Sequence, residues 1–260
     1  MMARGTEGAS AKMANRARRR FLRAAALMTA GVAGSALSNG IVRRAFAAPP
    51  TETGLSFEGL LKGLSGFQPR TLMQLPRAEI PGFLSRRQLG QNYAVYREQF
   101  ARLQAAESAL ATAPRSSAQA KEYAELRNAQ MTAANSVLLH EFYFRILADA
   151  PTTPSQYLIA NMNEHMGAMA DWREDFSACA RGAEEWAMLV YDPYDDRWHN
   201  VATGAQNAGG WTGANPLVVC DVADHAWSID YRSREIYVTR FLDHLDWAVV
   251  GTRYRAVDRQ

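Results

Sequence analysis

Between residues 84 and 112 the chain has no proline, and its large apolar side chains fall at Leu89, Tyr93, Tyr96, Phe100 and Leu103. Spacings of 4, 3, 4 and 3 put them on one face of a helix, and Ser85 is placed to cap its first turn. Ala113-Pro114-Arg115-Ser116-Ser117 interrupts the pattern. A second long helix is predicted over 118–149, with Leu126, Val137, Leu138, Phe142, Phe144 and Leu147 among its apolar positions. So short a connection makes the two helices antiparallel neighbours. Pro151 and Pro154 close this half.

The pattern then changes. Leu158, Met162, Met166, Met169, Trp172 and Phe176 form a helical stripe over 155–181, of the kind that more often fills a core than binds a cofactor. Short apolar runs follow at 186–191, 198–202 and 217–220, separated by turn-rich stretches, and predict a small antiparallel sheet of three strands. A last helical region is expected from about His225 to Val250. Helices, then strands, then helices make the class α+β: a long antiparallel helical hairpin (84–150) followed by a mixed α/β domain (151–260) with a three-stranded sheet. Residues 48–83 are dense in proline and glycine, which leaves no room for a long helix there.

Composition narrows the function. The chain has 260 residues, 48% hydrophobic and 10% aromatic, which excludes a disordered protein. Two cysteines exclude a disulfide scaffold and a four-cysteine zinc module. Cys179 and Cys220 are expected to form at most one disulfide, and Cys220, on an apolar run, reads as a buried free thiol. The formal charge of +3 is misleading, because residues 1–47 hold nine basic groups against one acidic group. That segment carries +8 and the remainder −5, so the overall basicity gives no reason to expect a nucleic-acid partner.

The same 47 residues have the form of an export signal. Arg18-Arg19-Arg20-Phe21-Leu22-Arg23 precedes a short Ala- and Gly-rich run over 24–37, and Ala45-Phe46-Ala47 is a small-x-small cleavage site. The paired arginines followed by x-Phe-Leu-Arg resemble the bacterial twin-arginine address, and the expected location is periplasmic or otherwise exported. No membrane association is expected once this segment is removed.

Candidate chemistry lies in two places. His140 sits inside the second helix among apolar residues, where an imidazole needs a partner. Asp221 ends an apolar run and precedes His225 by four residues, so their side chains can converge. Two imidazoles and a carboxylate suit iron, manganese or zinc. His165, His199 and His244 read as structural or surface residues.

Asp221-Val222-Ala223-Asp224-His225-Ala226-Trp227-Ser228-Ile229-Asp230-Tyr231 resembles the D-V-W-E-H-A-Y-x-x-x-Y signature of the iron/manganese superoxide dismutases. Asp246-Trp247 resembles that family's N-W pair, and Leu139-His140-Glu141-Phe142-Tyr143-Phe144 its N-H-x-F-Y/F-W segment. The resemblance implies one iron or manganese per subunit, held by three histidines and an aspartate, and conversion of superoxide to oxygen and peroxide. His140, Asp221 and His225 match three ligands, and Asn92 stands at the fourth. Gln206 matches the loop glutamine of manganese-type members. Iron-type members carry it on the second helix, where this chain has Ser136, and this favours manganese. Trp186 matches an aromatic residue beside the metal, and the resemblance further implies a homodimer with Asp224 near the contact.

The first motif departs from the family pattern. The gateway histidine is replaced by Tyr96 and the gateway tyrosine by Phe100, while Ala223, Asp224 and Ser228 replace a Trp, a Glu and a Tyr. An amide oxygen at Asn92 is a weaker ligand than imidazole, and Phe100 has no proton to give. Superoxide is an anion, so positive groups such as Arg97 or Arg232 near the entrance could steer it, although a solvated helix or loop face is the commoner role for any single arginine. Two other readings stay open: a non-dismutase with a two-histidine, one-carboxylate metal site, and a metal-free binding or structural protein in which His140 and Asp221 pair in the core.

Overall fold

The computed structural model describes residues 71–207 and 210–258, so the signal-like segment 1–47 and residues 48–70 lie outside the described part. Residues 71–83 are irregular, with an isolated bridge between Ile80 and Leu84. Helix α1 then runs Arg86–Thr112, its first turn closed by the Ser85 side chain accepting from the Gln88 N–H. A 3-10 turn at Ser117–Gln119 leads into α2, Ala120–Ile146. Both long helices stand where the spacing places them, α2 being trimmed by about one turn at its C-terminal end. The buried face of α1 is Leu89, Asn92, Tyr96, Phe100 and Leu103; Tyr93 is only half-buried and the polar Asn92 takes its place on the stripe.

The expected helix over 155–181 is two helices, α3 Gln156–His165 and α4 Met169–Gly182. Gly167 breaks them apart at a φ of +84°, a left-handed conformation that glycine adopts without penalty. The Asp171 side chain accepts from the Ala168 N–H and restarts the chain as helix. The stripe survives the break, with Leu158, Met162, Trp172 and Phe176 buried. The region from His225 to Val250 is likewise not one helix. A 3-10 turn at Asp224–Ala226 is followed by α5, Arg234–Asp243, capped by Ser233, and α6, Trp247–Val257, capped by Asp246.

Strands β1 (Trp186–Asp192), β2 (Arg197–Ala202) and β3 (Asn215–Asp221) form an antiparallel sheet in the order β2-β1-β3. Every residue of central β1 is buried, as expected of a strand covered on both faces. The β1–β3 register sets Trp186 opposite Asp221. Helix α6 is tied across the core by Arg253, which donates to the carbonyls of Leu217 on β3 (3.0 Å) and Phe142 on α2 (2.8 Å) and lies 4.4 Å over the Phe142 ring. Burial, with the charge of Arg145 assisting and Asp246 only partly opposing, pulls this guanidinium down to about 9. No helix among the described residues is long and apolar enough to cross a membrane. Cys179 and Cys220 are both free thiols, the second fully buried.

Candidate metal centre

Three elements meet at one buried point. The C-terminal half of α2 carries His140, the end of β3 carries Asp221, and the 3-10 turn after it carries His225. Helix α1 brings Asn92 from the opposite side. Asn92, His140 and Asp221 are at most 1% exposed, and only His225 is half-buried. Ligand atoms of His140, Asp221 and His225 lie within 4.8 Å of one another.

The hydrogen bonds fix what each atom can do. His140 Nδ1 lies 2.7 Å from the Ser136 carbonyl, which can only accept, so Nδ1 carries the proton. Nε2 therefore presents a lone pair, and it points into the cluster 3.7 Å from Asp221 Oδ2 without a donor. Asp221 Oδ1 accepts from the Ala223 N–H. Its Oδ2 accepts from Asn92 Nδ2 at 3.0 Å and faces His225 Nε2 at 3.0 Å. The Asn92 Oδ1 is buried and has no partner. The His140 and His225 rings are 5.8 Å apart and nearly parallel.

Burial holds the His140 imidazole below its ordinary value, and its neighbour Asp221 only partly opposes this. At His225 burial acts the same way, but the Asp221 carboxylate it bonds, helped by Glu185 and Asp224, raises its pKa. The two imidazoles are thus driven in opposite directions around one carboxylate.

The surroundings match the expected positions unevenly. Trp186 stands edge-on to His140 with centroids 4.9 Å apart. Tyr96 packs 6.1 Å from His140, and Phe100 lies one ring further out, 6.2 Å from Tyr96. The Tyr96 hydroxyl turns to other partners: it accepts from the Met73 N–H at 2.9 Å and donates to Glu141 Oε1 at 2.8 Å. Burial raises its pKa, and Glu141 adds to this. Gln206 belongs to the 3-10 turn Ala205–Asn207, but its side chain lies outside the described part. Asp224, Arg97 and Arg232 are exposed. The remaining histidines are structural in kind: His244 stacks on Phe83, His165 on Trp198, and His199 pairs with Asp195 under Trp211.

Several residues at the site escape a reading by motif. Gln88, fully buried one turn before Asn92, donates to the His225 carbonyl at 2.7 Å and accepts from the Ile229 N–H at 2.8 Å, so it staples the His225 turn to α1. Its place on the buried face of α1 was the available signal. Asn207, Glu141 and Met73 have no pattern of their own, since each acts through a neighbour.

Fold and donor set together define a class: an α+β protein with two imidazoles, a carboxylate and an amide converging between a helical hairpin and a three-stranded sheet. Residues 154–253 match the family described as iron/manganese superoxide dismutases, C-terminal domain. The chain is 28% identical over 130 residues to a manganese superoxide dismutase of Haloferax volcanii, covering 50% of this chain and 65% of that one. It is 32% identical over 135 residues to an iron superoxide dismutase of Aquifex aeolicus, covering 51% and 63%. With an iron superoxide dismutase of Cupriavidus metallidurans it shares 28% over 138 residues, covering 52% and 69%. The likeness to the iron/manganese superoxide dismutases thus centres on the carboxy-terminal part of the chain. The chain spans just under two thirds of the length of the first of these relatives.

Proposed function

We propose that the chain holds one iron or manganese ion and converts superoxide to oxygen and hydrogen peroxide. The observation that supports this most is an orphaned acceptor: His140 Nε2 is buried and unpartnered 3.7 Å from Asp221 Oδ2, in a cluster whose third ligand atom belongs to His225. Lone pairs brought together out of water are costly unless a cation lies between them. In this reading His140, His225 and Asp221 hold the ion, and the Asn92 amide stands at the fourth position. The chemistry such an ion supplies is alternate one-electron oxidation and reduction of superoxide. The protein's own part is orientation and exclusion of water: Ser136 fixes the His140 tautomer, Gln88 holds the His225 turn, and Trp186 and Tyr96 wall the site.

The remaining parts of the proposal rest on sequence. Gln206 is the loop amide, the assembly is a homodimer with Asp224 near the contact, and the twin-arginine-like segment directs export. Metal analysis of the purified protein, followed by a superoxide assay of the manganese- and iron-loaded forms, tests the core of the reading. If neither metal copurifies nor binds on reconstitution, it fails. Lysine at Arg18 and Arg19 together tests the export address by retention of the precursor.

A second reading is favoured by one observation. Phe100 carries no proton, and the Tyr96 hydroxyl is engaged by Met73 and Glu141. A loaded centre that lacks dismutase activity would make the chain a two-histidine, one-carboxylate metalloprotein of another chemistry. Metal binding without superoxide consumption is the result that selects it.

A further inference from the structure

Asn207 is a buried residue in a left-handed conformation, φ +60°, at the end of the turn Ala205–Asn207. Asparagine tolerates that region better than most side chains. Both ends of its side chain and its backbone N–H have partners. Oδ1 accepts from Trp186 Nε1 at 2.7 Å, Nδ2 donates to the Thr132 carbonyl at 3.3 Å, and the backbone N–H donates to Glu185 Oε2 at 3.2 Å. Thr132, Ser136 and His140 follow one another at intervals of four on α2, and therefore lie along one face. The turn is thus bolted to the helix face that presents His140, and the indole clamped between them stands edge-on to that imidazole.

We propose that Asn207 is a positioning residue for the metal centre: it locks the Trp186 indole, and through it the His140 ring, while Gln206 is not required for this. The inference deepens the metal reading above and rests on it only for its consequence in affinity. The Asn207 amide spends both its ends on Trp186 and Thr132, so it acts through the indole. Partners that orient a ligand commonly change metal affinity by about 10–100-fold.

The test uses the purified protein with selectively labelled histidine, first metal-free and then titrated with manganese against a chelator. Asn207→Gly deletes the amide while keeping a backbone at ease with positive φ. It should move the His140 ring resonances and weaken manganese binding by about 10–100-fold. Asn207→Asp keeps the acceptor for the indole but loses the donor to the Thr132 carbonyl, so it should move the His140 resonances less than Asn207→Gly does, and Gln206→Ala should leave both readouts unchanged. In a Trp186→Phe background, Asn207→Gly should add no further movement at His140. Unchanged His140 resonances in Asn207→Gly would overturn the proposal, as would an equal effect of Asn207→Gly with or without the indole. If the resonances move as expected and no variant binds manganese, the positioning role stands and the metal reading fails.

Discussion

Asn92 Nδ2 donates to Asp221 Oδ2 at 3.0 Å, joining residues 129 positions apart inside the core. One amide of the first helix thus touches the carboxylate that organises the cluster. It leaves its own oxygen without a partner. In the metal reading proposed above, an imidazole at this point should strengthen the centre. Asn92→His is expected to raise manganese or iron affinity by about tenfold or more, read by competition with a chelator. Unchanged affinity would remove position 92 from the ligand set.

The Tyr96 hydroxyl and the half-buried Tyr93 hold the two backbone groups of one residue, Met73: its N–H donates to Tyr96 Oη and its carbonyl accepts from Tyr93 Oη at 2.8 Å. Tyr96→Phe breaks the first bond without opening a cavity. Amide hydrogen exchange at Met73 should speed up by about fivefold or more, since a net hydrogen bond is worth about 1 kcal/mol. Exchange in α6, remote from the strap, should not change.

Tyr237 donates to Tyr143 across 3.0 Å with both hydroxyls fully buried. Tyr143→Phe alone leaves a buried donor without its acceptor and should cost about 1–3 kcal/mol in urea unfolding. Converting both to Phe should cost less than the sum of the two single changes. An additive pair would mean that the hydroxyls do not act on each other.

Burial holds His165 below its ordinary pKa of 6.5, with Arg197 assisting and carboxylates opposing. A group harder to protonate when folded favours the unfolded chain as acid is added. The contribution is complete above the unfolded pKa and is lost as the pH falls from there toward the folded value. Relative to the wild type, His165→Gln should therefore gain urea midpoint in the metal-free protein as the pH is lowered from about 7 to about 5, whatever the opposite contribution of His225.

Much of this arrangement was legible in the residues, and the reasons differ by part. The helical hairpin was readable because α1 and α2 bury one face each over many turns, so periodicity accumulates. His140, Asp221 and His225 were readable because two of them share a short motif and the third stands out in an apolar helix. Breaks were harder. Gly167 interrupts an apolar stripe that continues on either side, so the spacing hides the change of direction. The partners of the site were not legible at all: Asn207 reaches Trp186, and Glu141 reaches Tyr96, by the path of the chain in space rather than by spacing along it.

Arg253 joins the carbonyl of Phe142, two residues after His140, to that of Leu217, four before Asp221. Its guanidinium touches neither side chain of the cluster's ligands, yet it spans the two elements that carry them. The gap between imidazole and carboxylate is therefore gauged from behind, by a rigid planar strut whose length does not depend on what occupies the gap. In the metal reading proposed above, such a strut presets the bite of the cluster from the last helix of the chain.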